Sequence, residues 1–251
     1  MYLNKYNSQK VLKELIQTNL SKQLNLMPKS YRLEQEKAIE FFQKRAFLEE
    51  CIDKSIEFNK SLNWDKSQKN VFLISNAEEL IQVFKLRSTV YTDINYQNEF
   101  PDTIEGLNFD LYEETSAVAF CKNNGQVSGT IRLIFDSKNK LPSEEKYSFD
   151  SQRKEFNQIG ELSRLMVKNN SKGLGLEFKN LFKAMYIVFV NNDIDITYVG
   201  IKKEHFKLYD KFGGVEIIKK LDNYGNLDLN ALILSWDPSK VSNFFKRSFL
   251  K

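Results

Sequence analysis

The sequence predicts an α/β fold of the α+β kind: a mixed, mainly antiparallel sheet flanked by helices, with an N-terminal helical hairpin. Three observations predict it. Short apolar segments alternate with segments of helical apolar spacing in the order β α β β β α β α β β, which is neither regular βαβ alternation nor an all-β pattern. Asn123-Asn124-Gly125 marks a tight hairpin between two of the strands. Residues 161–182 run as strand, glycine loop and helix, the makings of a crossover connection.

Residues 8–27 hold Val11, Leu12, Leu15, Ile16, Leu20 and Leu24 at helical spacing, and Pro28 stops that helix. A second helix is expected over 31–59, with Ile39, Phe42, Leu48, Cys51, Ile52 and Ile56 on its apolar side. Residues 1–67 therefore read as an N-terminal helical extension, bounded by the polar run 63–70, and 68–251 as the main domain. The extension admits four roles: an appendage covering part of the main domain, a lid over a lipid-like ligand, a dimer contact, or a peripheral membrane contact through residues 1–60.

Val71-Phe72-Leu73-Ile74 is a buried strand. Ser75 and Glu78 have capping-box spacing and open a helix with Ala77, Leu80, Ile81, Phe84 and Val90 facing inward and Arg87 near its C-terminal end. Residues 91–111 are polar, contain Pro101 and lack a period; so long a loop inside a domain is usually functional or mobile. Strands follow at 115–122 and 127–136, the second interrupted by Arg132. After a loop with Pro142 comes a strand whose Leu162, Leu165, Met166 and Val167 are apolar and whose Glu161 and Arg164 are charged. The loop Asn170-Ser171-Lys172-Gly173-Leu174-Gly175 leads to a helix carrying Leu176, Phe178, Leu181, Phe182, Met185 and Tyr186. A strand at 195–201, a short helix at 203–212 ending at Gly213-Gly214, and strands at 215–218 and 230–236 complete the sheet. The helices after Gly175 and after Ile201 are expected to cross between neighbouring strands.

Composition narrows the function. A hydrophobic fraction of 41% with 20 Phe argues for a folded globule. Net charge is a mild +4, without the basic stripes and interleaved aromatics of a nucleic-acid binder; it weakly favours an acidic partner or anionic headgroups. Cys51 and Cys121 are too few and too distant for a zinc cluster or disulfide framework. His205 is the only histidine, which excludes a multi-histidine metal site; beside Phe206 it reads as structural, and no metal is expected. Residues 1–27 lack a continuous apolar core, and no run approaches the roughly 18 apolar residues of a membrane span, so the expectation is a cytoplasmic protein.

A glycine loop entering a helix leaves backbone N–H groups without helical partners, and these suit a phosphate or pyrophosphate, although two glycines there can also be a plain tight turn. The element order, with that loop between the fourth strand and its helix, resembles the GNAT acyltransferase fold. In that family a Gln/Arg-x-x-Gly-x-Gly/Ala loop holds the pyrophosphate of coenzyme A or the phosphopantetheine arm. Asn170-x-x-Gly173-x-Gly175 matches both glycines, with Asn at the first position. The resemblance implies Lys172, Gly173, Leu174 and Gly175, with Met166 and Val167, as contacts of an acyl-phosphopantetheine donor, and no tightly bound cofactor. Leu208-Tyr209-Asp210-Lys211-Phe212-Gly213 resembles the family's Phe-Tyr-x-x-x-Gly-Phe signature, which implies Tyr209 as the acid that protonates the leaving thiolate.

A narrower resemblance rests on four pieces in order: Leu86-Arg87-Ser88-Thr89-Val90-Tyr91, Asp110-x-x-Glu113, Gly129-Thr130-Ile131-Arg132-Leu133 and Glu161-Leu162-Ser163-Arg164. Over residues 70–237 the chain is similar to the autoinducer synthase branch, which comprises acyl-homoserine-lactone synthases and long-chain N-acyl amino acid synthases. Both join an acyl chain carried on acyl carrier protein to an amino-acid amine. Glu161-Leu162-Ser163-Arg164-Leu165 followed by an apolar pair, and a loop holding Tyr96 and Phe100 but no tryptophan, favour the N-acyl amino acid side.

Amide formation from a thioester needs a proton acceptor for the amine, and Glu161 is the candidate. An arginine fork suits an amino-acid carboxylate, so Arg87, Arg132 and Arg164 are substrate-binding candidates, with Asp110 and Glu113 orienting them or meeting the amine. Structural ion pairs among strand-end charges would use the same residues. The implied partners are acyl carrier protein, or coenzyme A as the acyl carrier, and a small amine. Alternatives are a lactone synthase using S-adenosylmethionine, a catalytically silent acyl-carrier sensor, and an acetyl-CoA-dependent small-molecule acetyltransferase.

Overall fold

The structure, a computed structural model, describes residues 28–168, 175–225 and 227–250, with Glu14 and Leu26 besides. These fall into two units, divided between Lys54 and Ser55. The division lies inside helix α1, Lys29–Ser61, and not in the polar run at 63–70 where composition put the boundary. The reason is Asn59, in the last turns of α1. Its Nδ2 donates to the Ser55 and Ser116 carbonyls at 2.8 Å each, and its Oδ1 accepts from the Val118 N–H at 2.9 Å, which ties these turns to the sheet. The first unit's part of α1 carries i,i+4 ion pairs such as Arg32–Glu36 and Glu40–Lys44. The helix expected over 8–27, and with it the hairpin, lies outside the described residues.

The second unit is built on seven strands: β1 (Phe72–Leu73), β2 (Ser116–Asn123), β3 (Gln126–Phe135), β4 (Ile159–Val167), β5 (Ile196–Lys202), β6 (Val215–Leu221) and β7 (Ala231–Trp236). Their order is β1-β2-β3-β4-β5-β7-β6, and only the β4–β5 pair is parallel. The helices are α2 (Ala77–Asp93), α3 (Gln152–Glu155), α4 (Leu176–Asn191), α5 (Phe206–Asp210) and α6 (Asn243–Phe249). Helix α4 crosses between the neighbours β4 and β5, as its sequence position predicts. Helix α5 does not: β7 inserts between β5 and β6 and takes β5's edge. Nothing local to 203–221 reports which strand wins that edge; the buried run Ala231–Trp236 does, because an interior strand is covered on both faces.

The β2–β3 hairpin turns at Asn124 (φ +51°) and Gly125 (φ +78°), the left-handed pair that a tight turn between twisted strands needs. Alternation then sorts the sheet. Ala117, Ala119, Ile131, Leu133 and Leu162 face α4 and cluster with its Leu181, Phe182, Met185 and Val188. Arg132 faces the other way, toward α2. Helix α2 is capped one residue later than expected: Asn76 Oδ1 accepts from the Glu79 N–H at 3.0 Å, and Glu79 Oε2 accepts from the Ser75 N–H at 3.1 Å. It also runs through Asp93, so the long loop starts at Ile94 rather than at Tyr91. Helix α6 was not anticipated. Ser242 Oγ caps it by accepting from the Phe245 N–H at 3.1 Å, and Phe245 and Phe249 bury against Phe212.

Candidate active site

The site is built where β4 stops being regular. Along β3, Thr130 faces Met166 but Arg132 faces Ser163, so β4 carries one extra residue. Arg164 absorbs it with φ +53°, a left-handed backbone that costs a non-glycine residue about 1–2 kcal/mol. In an unbroken strand residues 161 and 164 would point to opposite faces. The bulge turns Arg164 to the α2 side, where Glu161 already points.

The second irregularity is a splay. Strands β4 and β5 pair from Ile159–Ile196 to Leu162–Val199 and then separate, although they run on to Val167 and Lys202. A cavity of about 810 Å³ fills the gap and reaches both faces of the sheet. On the α2 side it is walled by Asp110, Arg132, Glu161 and Arg164; on the α4 side by Ile131, Phe178, Phe182 and Tyr209. Leu165, Met166 and Val167 form one edge of the gap, and Gly175 borders it. Gly175 is the N-cap of α4 and offers no side chain to the helix end. Lys179 N–H bonds Gly175 O at 3.2 Å, and the N–H groups of 176–178 precede the first carbonyl that an intrahelical bond could reach. Lys172, Gly173 and Leu174 lie outside the described residues.

Three guanidinium groups and two carboxylates form a network along one wall of the cavity and behind it. Each Arg132 nitrogen is bonded: Nε donates to Ser163 Oγ at 3.0 Å, Nη1 to Asp110 Oδ1 at 2.6 Å and Glu113 Oε1 at 2.5 Å, and Nη2 to Asp110 Oδ2 at 3.0 Å. Arg87 reaches Glu113 Oε1 through Nη1 at 2.6 Å; both side chains are fully buried and neither lines the cavity. They support Arg132 from behind. Burial disfavours the Arg87 cation, and Arg132 and Arg164 add repulsion, so its proton affinity is lowered despite Glu113. Burial would raise the Asp110 pKa, but Arg132 and Arg164 more than reverse this and hold the group ionised. Arg164 is the most exposed of the three arginines. Its Nη2 donates to Asp110 Oδ2 at 2.9 Å, its Nη1 to the Tyr91 hydroxyl at 2.6 Å, and its carbon lies 5.2 and 5.1 Å above the Tyr91 and Phe100 rings.

Glu161 is 4% exposed, and both carboxyl oxygens are held by one residue. The Ser143 N–H donates to Oε2 and the Ser143 hydroxyl to Oε1, each at 2.9 Å. Burial pushes the carboxyl up to about 7, against the opposing pull of Ser143 and Arg132. It therefore exchanges a proton near neutrality, which is where a general base works best. Tyr209 is buried on the α4 side, and burial alone drives its phenol well above the usual value, so it stays protonated. His205, read from sequence as structural, is exposed at the cavity rim with Nε2 3.7 Å from Glu204 Oε1. The apolar wall of the cavity includes Phe178 and Phe182.

Two contributors escaped sequence reasoning. Ser143 lies 18 residues from Glu161, with no periodic relation to it. Tyr224 lies in the β6–β7 hairpin beside Gly200, and burial pushes its phenol up to about 12. The only sequence signal for either was position in a loop flanked by Pro142 or Gly225.

A mixed sheet with a gap between its central parallel strands and a helix N-terminus beside that gap is of GNAT-like architecture. The profile of the family described as N-acyl amino acid synthase FeeM matches residues 82–237, and the chain belongs to that family. Among solved structures, FeeM, an N-acyl amino acid synthase from uncultured soil microbes, superposes with a TM-score of 0.55 at 18% identity, over 73% of this chain and 96% of that one. The acyl-homoserine-lactone synthase LasI gives 0.52 at 15%, over 72% and 95%. The CoA-dependent acyl-homoserine lactone synthase BjaI, solved with SAM and isopentyl-CoA, gives 0.52 at 15%, over 67% and 78%. At these identities the superpositions speak to the fold. No curated protein matches the chain. Among the described residues no helix is long and apolar enough to cross a membrane.

Proposed function

We propose that the chain transfers a long acyl group from the phosphopantetheine of acyl carrier protein, or of coenzyme A, to the α-amine of an amino acid. One observation carries this reading: Glu161, poised to exchange a proton near pH 7, faces a gap in the sheet that runs on to the N-terminus of α4. The pantetheine arm would lie in the β4–β5 gap, where strand N–H groups around Met166 and Val167 polarise the thioester carbonyl. The amine nitrogen attacks that carbonyl carbon, the C–N bond forms, and Glu161 takes the amine proton. Collapse breaks the C–S bond. Tyr209 supplies a hydrogen bond to the departing sulfur. Its raised proton affinity makes it a dependable donor and a reluctant acid, so the thiolate takes its final proton from solvent.

Arg132 commits four N–H groups to Asp110, Glu113 and Ser163, whereas Arg164 commits only one from each terminal nitrogen, to Tyr91 and Asp110, which makes Arg164 the better fork for an acceptor carboxylate. An incoming carboxylate would also strengthen Glu161 as a base, since a nearby negative charge raises a carboxyl pKa. The mildly basic chain suits an acidic carrier protein.

The test is direct. Purified protein is incubated with acyl carrier protein, and separately with CoA, loaded with C12–C16 chains, together with the twenty amino acids. Thiol release with a matching acyl amino acid in the mass spectrum is the expected result. No thiol and no acylated amine overturns it. Methylthioadenosine released from added S-adenosylmethionine reassigns the protein as a lactone synthase, and tight carrier binding without turnover reassigns it as a sensor.

A further inference from the structure

The turn Pro142–Glu145 sits apart from the ordered charges of β3 and β4, yet it contributes Ser143, which hydrogen-bonds both oxygens of Glu161. It is itself held in place. The Leu141 N–H donates to Glu144 Oε1 at 3.1 Å, and Arg153 clamps Glu144. Arg153 also grips Asp136 in a two-pronged contact at 2.6 and 2.7 Å. Pro142 fixes one backbone angle of the turn. The mouth of the cavity thus receives a serine on a braced support.

We infer that Ser143 is the positioning residue of the reaction: it fixes the plane of the Glu161 carboxyl and supports that group in both of its protonation states. The inference rests on Glu161 as the proton acceptor proposed above. A peptide N–H can only donate, so Oε2 is tied to the Ser143 backbone throughout. A hydroxyl can donate to a carboxylate and accept from a carboxylic acid, so the Ser143 side chain stays bonded to Oε1 before and after the amine proton arrives. Alanine keeps the backbone N–H to Oε2 but loses the hydroxyl contact to Oε1, while threonine keeps both. Other groups set the background that Ser143 works against. Arg132 on β3 favours the ionised form, and Glu144 on the turn disfavours it. Tyr112 and Tyr224 interact with Glu161 from the Leu111–Thr115 turn and the β6–β7 hairpin, and Tyr198 faces it in register on β5.

The experiment compares Ser143→Ala, Ser143→Thr and Glu161→Gln with the parent protein. Loss of a hydrogen bond to the ionised form should move the inflection of kcat/KM upward by about one pH unit. At pH 7 kcat should fall about fivefold, as the ionised fraction of Glu161 drops, with acceptor KM changed less than about twofold, and Ser143→Thr should restore the parent profile. The inference is overturned if the Ser143→Ala profile superimposes on the parent while Glu161→Gln is inactive. If Glu161→Gln keeps the parent profile, the proton-acceptor assignment fails instead. An infrared titration of the carboxyl band, assigned by its loss in Glu161→Gln, then decides Ser143 without turnover. A higher midpoint in Ser143→Ala supports the contact as the determinant of protonation, and an unchanged midpoint overturns it.

Discussion

Strand β4 is regular in one half and broken in the other. From Ile159 to Leu162 it pairs with β3 and β5 in unbroken register, with Ile159, Glu161 and Leu162 all buried. From Ser163 to Val167 it bulges against β3, forces Arg164 to φ +53° and leaves β5 altogether. The first half satisfies its backbone through ladders and adds stability. The second half forgoes ladder bonds on the β5 side and opens a space between two strands. Glu161 lies in the last part of the ordered half and faces the open one. A base gains from that address, because its own position is rigid while its neighbour is empty.

Glu161→Gln should have the largest effect, striking the chemistry at the junction and leaving the ladder alone. Thiol-release assays should show kcat/KM lower by about 10²–10⁴, the usual contribution of a general base, with an unchanged circular dichroism spectrum. A parent-like rate would break the comparison. Arg132→Met comes next, because it attacks the support shared by both halves. It leaves Asp110 and Glu113 facing each other without their common cation, and urea unfolding should report a loss of about 3–5 kcal/mol.

The protonation of Glu161 gives a third test. Its folded pKa, about 7, lies above its ordinary value of 4.5, so its stabilising contribution is fully present below 4.5 and lost as pH rises through about 7. The loss is on the order of 3 kcal/mol, read as the difference between parent and Glu161→Gln unfolding free energies at about pH 5 and about pH 8.5. No difference in slope between the two proteins would mean that Glu161 is ionised throughout.

The smallest effects separate ladder from gap most cleanly. A Cβ on Gly160, in the paired half, would lie 2.9 Å from the Ile134 carbonyl oxygen, so Gly160→Ala should cost about 1–3 kcal/mol. A Cβ on Gly200, beside the gap, would meet only Tyr224 at 3.7 Å. Gly200→Ala should be neutral or stabilising by about 0.5 kcal/mol in the same assay. Equal costs at the two positions would show that β5 is as tightly packed there as β4.

Much of this arrangement was legible beforehand. Asn124-Gly125 announced the hairpin, and the apolar periods of α2 and α4 announced both helices. The four charged motifs pointed to one neighbourhood, and Asp110, Arg132, Glu161 and Arg164 do meet around one cavity. The motifs could not separate roles within the set. Arg87 and Glu113 share their patterns with the cavity-facing residues but are sealed behind them, because depth below the surface leaves no mark on spacing. The cap shift from Ser75 to Asn76 is a one-residue ambiguity between adjacent polar side chains. Helix α6 was missed because its seven residues are too few to establish a period.

By itself, the amino-acid sequence determined most of the strands and the longer helices and which charges are available to chemistry, since both follow from local preference and side-chain type. Tertiary structure alone decided three things: that β7 takes the edge beside β5, that a bulge brings Arg164 to the same face as Glu161, and that Ser143 closes on Glu161. Each depends on contacts between segments far apart in the chain, where hydrogen-bond geometry and packing choose among arrangements that local preference leaves equivalent.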